Sequence, residues 1–364
     1  MSTEAPRPKR ILAIDGGGVR GVVAIAFLEA LELRLAEKAG HPVALRDHFD
    51  LIGGTSTGAI LATAHALGLK LDDVRNHYFD LAPTVFRRRV ARIKFLQAQF
   101  LGQDLERHVA TFTGDRRLDT ADIKPGGLAI ITKRFDTNSV WFLTNNPEAP
   151  YWDDGDHIGN RRYRLSSLVR ASAAAPLFFA PQRIQVVEGE PAGLFIDGSV
   201  SPHNNPALAL LQIATIPAYG YGWKTGEHEL EITSIGTGSH RTVPTPNFWL
   251  RLAAGFAIKS LESIIHDCDE QVLTMMQALG RNVTPWIINS EIGDLSGVCI
   301  ATEPLFTFHR YNFLLDHTWL RDHLGEAPDQ QVLSSYARID NTAAMQPLYD
   351  LAQKVAERAM SARA

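Results

Sequence analysis

Ser56 is the side chain best placed for covalent chemistry. It stands in Gly54-Thr55-Ser56-Thr57-Gly58, directly after the apolar run Phe49 to Gly53. A G-x-S-x-G turn between a strand and a helix bends the backbone sharply and leaves the serine Oγ exposed at its tip. Gly54 and Gly58 keep the two flanking segments from colliding. The helix-forming run Ala59 to Leu67 follows, and its first amides favour negative charge developing beside the serine. The chemistry on offer is nucleophilic attack by a hydroxyl. Taken alone, the pentapeptide is only moderately specific.

A second glycine-rich turn adds to it. Arg10 to Ile14 reads as a buried strand, Asp15-Gly16-Gly17-Gly18-Val19-Arg20-Gly21 follows, and a helical pattern runs from Val22 to Ala39. Such a turn aims several backbone N–H groups at one point and suits an anion, either a nucleotide phosphate or the oxyanion of acyl transfer. Gly16, Gly18 and Gly21 formally match G-x-G-x-x-G. A dinucleotide site also needs a carboxylate at the tip of the next strand. Here that strand runs into Gly53-Gly54-Thr55-Ser56 instead, which favours the oxyanion.

A serine hydroxyl needs a base. Far downstream, Ala192 to Ile196 reads as a short strand delivering Asp197-Gly198-Ser199. Asp197 is a candidate base, and a turn-capping aspartate is the plain alternative. With thirteen histidines in the chain, composition does not exclude a Ser-His-Asp triad. His203, flanked by Pro202 and Asn204, is the best third member; an ordinary loop histidine is the favoured reading.

The order Asp-Gly-Gly-Gly-x-Arg-Gly (15–21), Gly-x-Ser-x-Gly (54–58) and Asp-Gly-small (197–199), with Ala171 to Phe179 and Asn205-Pro206 between and after, resembles the patatin-like phospholipases over about residues 10 to 240. The resemblance implies Ser56 as nucleophile, Asp197 as sole base, and the amides of Gly16, Gly17 and Gly18 as oxyanion hole. Arg20 would steady the glycine loop or a substrate phosphate, with Gly21, Gly54 and Gly58 in support. Ser199 stands where the family most often has Gly or Ala. The implied fold is an α/β three-layer sandwich with a mainly parallel central sheet and a C-terminal helical region. The implied activity is release of fatty acid from membrane phospholipid. The bacterial members switched on by cyclic oligonucleotides in anti-phage defence are a further likeness, so a cyclic dinucleotide activator is expected with it. A soluble carboxylesterase or thioesterase, and a silent storage protein, are the other functions weighed.

The elements needed to position these residues are legible. Strands are expected at 10–14, 48–53, 127–134, 140–144, 194–196 and 230–236, and helices at 19–39 and 58–67. Alternating strands and helices argue for a parallel sheet covered on both faces. The organisation expected is a polar tail (1–9), a catalytic core (10–240) and a mainly helical region (241–364) packed on it. Hydrophobic content of 45% over 364 residues supports an ordinary core, and a net charge of −4 gives no reason to expect a nucleic-acid polymer as partner. Two cysteines and a polar start suggest a cytoplasmic protein acting at the inner face of the membrane. No apolar run approaches the about 20 residues of a membrane span.

Three further segments invite a reading. Thr84 to Leu101 mixes cations with Phe86, Ile93, Phe95 and Phe100, and Phe248 to Ile265 is amphipathic. Either could touch lipid, and the second could instead form a lid; core packing, or for the second a homodimer contact, competes with those readings. Leu305 to Phe313 mixes aromatic and basic residues as a nucleotide-stacking surface would, or forms a buried strand. No metal motif is present, the acidic loop Asp153 to His157 reads as solvated, and no cofactor is expected.

Overall fold

The computed structural model describes residues 7–86, 100, 102–240 and 253–361. In chain order its elements begin with β1 (Lys9–Ile14), α1 (Gly21–Ala39), α2 (Leu45–His48), β2 (Leu51–Thr55), α3 (Thr57–Ala66), α4 (Leu71–Val85) and α5 (Gly102–Thr113). The middle of the chain forms β3 (Leu128–Arg134), β4 (Ser139–Thr144), α6 (Leu165–Ser172), β5 (Gln182–Ile184), β6 (Gly193–Asp197), α7 (Ala207–Thr215) and β7 (Leu230–Ile235). Then come α8 (Ala253–Leu279), β8 (Arg281–Thr284), β9 (Thr307–Tyr311), α9 (His317–Leu324), α10 (Gln330–Tyr336) and α11 (Met345–Ser361).

The strands form one sheet in which β3, β2, β1, β7, β9 and β8 lie side by side and parallel. β4 and β6 add antiparallel partners to β3, and β5 pairs with β6. Central parallel strands are buried on both faces, which is why Ile11 to Ile14 of β1 and Leu51 to Gly54 of β2 read as unbroken apolar or glycine runs. Leu12, Ile14, Ile52 and Ile130 pack under α1, α3 to α6 and α11 on one face. Ile11, Ala13, Leu51 and Ala129 pack under α7 and the second half of α8 on the other. The result is the α/β three-layer arrangement expected, with helices completing its C-terminal part.

Two differences bear on the site. The second strand starts three residues later than expected because Leu45–His48 closes a helical turn first. The sheet also runs past the boundary expected at residue 240: β8 and β9 come from the C-terminal region and extend the sheet beyond β7. In β9, Phe308 is buried and Phe306 lies buried just before it, while Arg310 is 5% exposed. A period-two pattern of mixed polarity in Leu305 to Phe313 therefore builds a strand and does not present the stacking surface its composition suggested.

β3 sets the spacing of the site. Its first half pairs with β2, ending at Ile131 opposite Thr55, and the same edge continues with Thr132 opposite Asp197 of β6. The residue before Ser56 and Asp197 itself are thereby held against consecutive residues of one strand.

Candidate active site

Ser56 links β2 to α3 with φ 55° and ψ −121°, a conformation that L residues rarely hold. Its amide donates to Ser172 Oγ at 2.8 Å, and Ser172 Oγ donates to the Ile131 carbonyl at 2.6 Å. The bend needs its glycines: a Cβ on Gly54 would fall on the Gly58 backbone, and one on Gly58 would fall on the Ile14 carbonyl. So α3 is drawn tight against the end of β1, and the Ser56 side chain faces β6.

There it meets its partner. Ser56 Oγ donates to Asp197 Oδ2 at 2.6 Å. Asp197 Oδ1 accepts the Ser199 amide at 2.8 Å, so the serine in that position leaves the turn intact. Asp197 is 1% exposed, and burial pushes its carboxyl up to about 6, against the hydrogen bonds from Ser56 and Ser199. A carboxylate desolvated this far is a stronger base than one in water, and it still ionises at neutral pH.

His203 does not join the pair. Its ring packs edge-on against Phe142 with centroids 5.2 Å apart, its Nδ1 is buried without a partner, and burial lowers it to about 4. What His203 contributes is its carbonyl, which accepts from Thr55 Oγ1 at 2.5 Å.

The glycine loop lies beside Ser56; a Cβ placed on Gly16 would be 3.3 Å from the Ser56 Cβ. Of the three amides expected to form an oxyanion hole, that of Gly16 already donates to the Asn204 carbonyl at 3.0 Å. This corrects the three-amide expectation to two, Gly17 and Gly18, neither of which has a hydrogen-bond partner among the described residues. Each is oriented through the carbonyl of the residue before it, since N–H and C=O of one trans peptide unit point opposite ways. The Gly16 carbonyl accepts from Thr237 Oγ1 at 2.7 Å, and the Gly17 carbonyl accepts from the Arg20 amide at 3.2 Å. Thr57 Oγ1, at 3.0 Å, and the Tyr78 hydroxyl both donate to the Gly18 carbonyl. Gly18 holds φ 58°, which a side chain would strain. Gly21 has no room for one either, lying against Thr57 and Tyr78.

The loop is anchored from beneath by charge. Arg310 of β9 grips Asp15 through hydrogen bonds of 2.6 and 3.0 Å and donates to Ser234 Oγ at 2.7 Å. Arg20 donates to the Gly238 carbonyl at 2.6 Å and lies 3.2 Å from His240 Nδ1, so it ties the loop to the segment after β7. Sequence reasoning missed Thr237, Tyr78 and Ser172, and read Arg310 only as part of the aromatic and basic stretch Leu305 to Phe313. Of the three missed residues only Ser172 carried a signal, as the polar residue within Ala171 to Ala175.

Among the described residues no group of three or more His, Cys, Asp or Glu is gathered as a metal site. Asp153 and Asp154 of the acidic loop pair with Arg161 and Arg162. Most of the first amphipathic segment, residues 87–99 and 101, lies outside the described residues, as do residues 248–252 of the second. On α8, Phe256 and Ile264 are exposed. No helix among the described residues is long and apolar enough to cross a membrane.

The chain is 28% identical over 244 residues to a cUMP-AMP-activated phospholipase of Escherichia coli, covering 67% of this chain and 69% of that one. A cGAMP-activated phospholipase of Escherichia coli is 28% identical over 211 residues, 56% of this chain and 55% of its own length. Calcium-independent phospholipase A2-gamma of Rattus norvegicus is 30% identical over 243 residues, 64% of this chain but only 29% of its own length. The model of the patatin-like phospholipases matches residues 12–211. That stretch takes in more than half of the chain and both partners of the Ser56–Asp197 contact, and the chain belongs to the patatin-like phospholipase family.

Proposed function

We propose that this protein hydrolyses fatty-acyl esters of membrane phospholipids with Ser56 as nucleophile and Asp197 as the single general base. The observation carrying this is the 2.6 Å hydrogen bond from a strained, turn-borne Ser56 Oγ to a buried carboxylate. Asp197 Oδ2 takes the hydroxyl proton as Oγ attacks the ester carbonyl carbon. The amides of Gly17 and Gly18 receive the oxyanion. Collapse breaks the bond to the lysolipid oxygen, which recovers the proton from Asp197. Water then enters, gives a proton to the same carboxylate, and attacks the acyl-serine. The second collapse frees the fatty acid and returns the proton to Ser56 Oγ.

Activation by a cyclic dinucleotide, in a role in defence against phage, is the regulatory part of the proposal. The activation is supported by the names of the two Escherichia coli relatives. The test is fatty-acid release from phosphatidylglycerol and phosphatidylethanolamine vesicles by wild type and Ser56→Ala, with and without a panel of cyclic dinucleotides. Release that needs Ser56 supports the phospholipase, and release that also needs one nucleotide supports the switch. Cleavage of short soluble esters alone would replace this reading with a small-ester hydrolase.

A further inference from the structure

The turn after β6 is where the three catalytic segments touch. The His203 carbonyl accepts from Thr55 at the end of the nucleophile strand, at 2.5 Å. The Asn204 carbonyl accepts from Gly16 in the glycine loop, at 3.0 Å. The same turn begins at Asp197 through Ser199. A Cβ on Gly16 would lie 2.5 Å from Asn204 Oδ1, so the Asn204 side chain is packed directly against the glycine loop. Whatever fixes Asn204 therefore fixes the relative placement of base, nucleophile and oxyanion donors.

One side chain from outside this set does so. Asp269 on α8 accepts from Asn204 Nδ2 at 2.8 Å through one oxygen and from the Asn205 amide at 3.1 Å through the other. We infer that Asp269 is a positioning residue, clamping the 203–205 turn so that the Gly17 and Gly18 amides stand at the right distance from Ser56. The inference rests on the reading of those amides as the oxyanion hole. It also gives the C-terminal region a direct mechanical link to the site. α8 starts at exposed Phe256 and Ile264, passes Asp269 and then packs on the sheet through Val272, Leu273 and Met276.

Asp15, Arg310 and Arg20 face Asp269 from the ends of β1 and β9 and from the glycine loop. Two carboxylates and two guanidiniums, Asp15 and Arg310 buried and Asp269 and Arg20 half-buried, form a set whose formal charges balance. Burial and the Asp15 charge push Asp269 up to about 7, and the bonds from Asn204 and Asn205 and the charge of Arg310 oppose that shift. Removing Asp269 leaves Arg20 with a poorer environment and Asn204 free to turn.

The experiment is a side-chain exchange read by steady-state release from phosphatidylglycerol vesicles and by the rate at which a fluorophosphonate ester modifies Ser56. Asp269→Ala loses both hydrogen bonds, and kcat should fall by roughly 100-fold with KM within about twofold, since a small misplacement of catalytic donors costs about that much. Asn204→Asp, which sets two carboxylates face to face, should fall equally. Asp269→Asn keeps the volume and one of the two bonds and should fall about tenfold. The double variant Asn204→Asp/Asp269→Asn restores a donor facing an acceptor, with the carbonyl oxygen of the introduced carboxamide still available to the Asn205 amide. It should recover kcat and fluorophosphonate reactivity to within about threefold of wild type. Thermal melts identify which variants are folded, and Asp269→Asn, as the mildest, keeps the test open should Asp269→Ala not fold. Wild-type kcat in a folded Asp269→Asn or Asp269→Ala overturns the inference. So does a loss confined to KM, or a folded double variant no better than the single ones. Ser56→Ala separates the two levels: if it still releases fatty acid, the reading of the site itself fails, whereas a silent Ser56→Ala beside a fully active Asp269→Ala overturns only the positioning role.

Discussion

The carboxylates at the ends of β1 and β6 differ in partner and in little else. Asp15 and Asp197 both follow apolar strand residues, both precede glycine, and both are at most 4% exposed. Asp15 is held by Arg310 through two hydrogen bonds. Burial pushes its carboxyl up, and the guanidinium pulls against that shift. Asp197 has a hydroxyl and an amide, with the Arg170 charge acting on it more weakly. A buried carboxylate bonded to a guanidinium has its lone pairs committed and serves as an anchor. One bonded to a hydroxyl can take that hydroxyl's proton. The comparison teaches that the partner, more than burial, divides a structural aspartate from a basic one.

The comparison breaks most visibly in activity. Ser56→Ala and Asp197→Asn should each lower kcat by about 10³- to 10⁴-fold in vesicle assays while the far-ultraviolet dichroism stays that of wild type. A folded Asp197→Asn with more than a tenth of wild-type activity would remove Asp197 from the mechanism.

At the other strand end the effect should appear in stability. Arg310→Met strands the Asp15 carboxylate in the interior and should cost about 3–5 kcal/mol in urea unfolding. The double variant Asp15→Asn/Arg310→Met should regain most of that, because no lone buried charge remains. Equal losses in the single and double variants would mean that packing, and not charge, is what Arg310 supplies.

The pH dependence sharpens the contrast. Asp197 must be ionised to act and Asp269 must be ionised to accept fully from Asn204 and Asn205, so kcat/KM should rise with pH through two ionisations, near 6 and near 7, and level off above about pH 7. Stability runs the other way. The folded carboxyl holds its proton up to about pH 6 and the unfolded one only to about 3.8. The stability contributed by protonated Asp197 is thus fully present below pH 3.8 and lost as pH rises through 6. Asp197→Asn does not titrate, and between pH 5 and 8 it should gain about 1–2 kcal/mol on the wild type. A variant whose advantage does not grow with pH would show that Asp197 is not strained by its burial.

The smallest effect is expected at His203. His203→Ala keeps the carbonyl that binds Thr55 and removes a ring whose Nδ1 has no partner. Activity should stay within about threefold of wild type. A loss matching Ser56→Ala would turn the dyad into a triad.

Ser56, Asp197 and the glycine loop were legible because each lies in a short motif whose backbone demands are local: a tight bend, a strand end, a run without side chains. The Leu305 to Phe313 strand was legible only as an alternation, which does not say which face is buried or what Arg310 meets. The three-amide oxyanion hole failed for a similar reason. Three consecutive glycines offer three amides, and only the turn carrying Asn204 shows that Gly16 is already taken.

By itself, then, the sequence determined which groups can attack, accept a proton and bind an oxyanion, since residue type and neighbour spacing set those abilities. The tertiary structure decided which of them meet. β3 brings Thr55 and Asp197 into adjacent register, β9 carries Arg310 to Asp15, and α8 carries Asp269 to Asn204. Those contacts join residues far apart along the chain, where no local pattern constrains the pairing and only sheet order and helix packing bring the side chains within hydrogen-bonding distance.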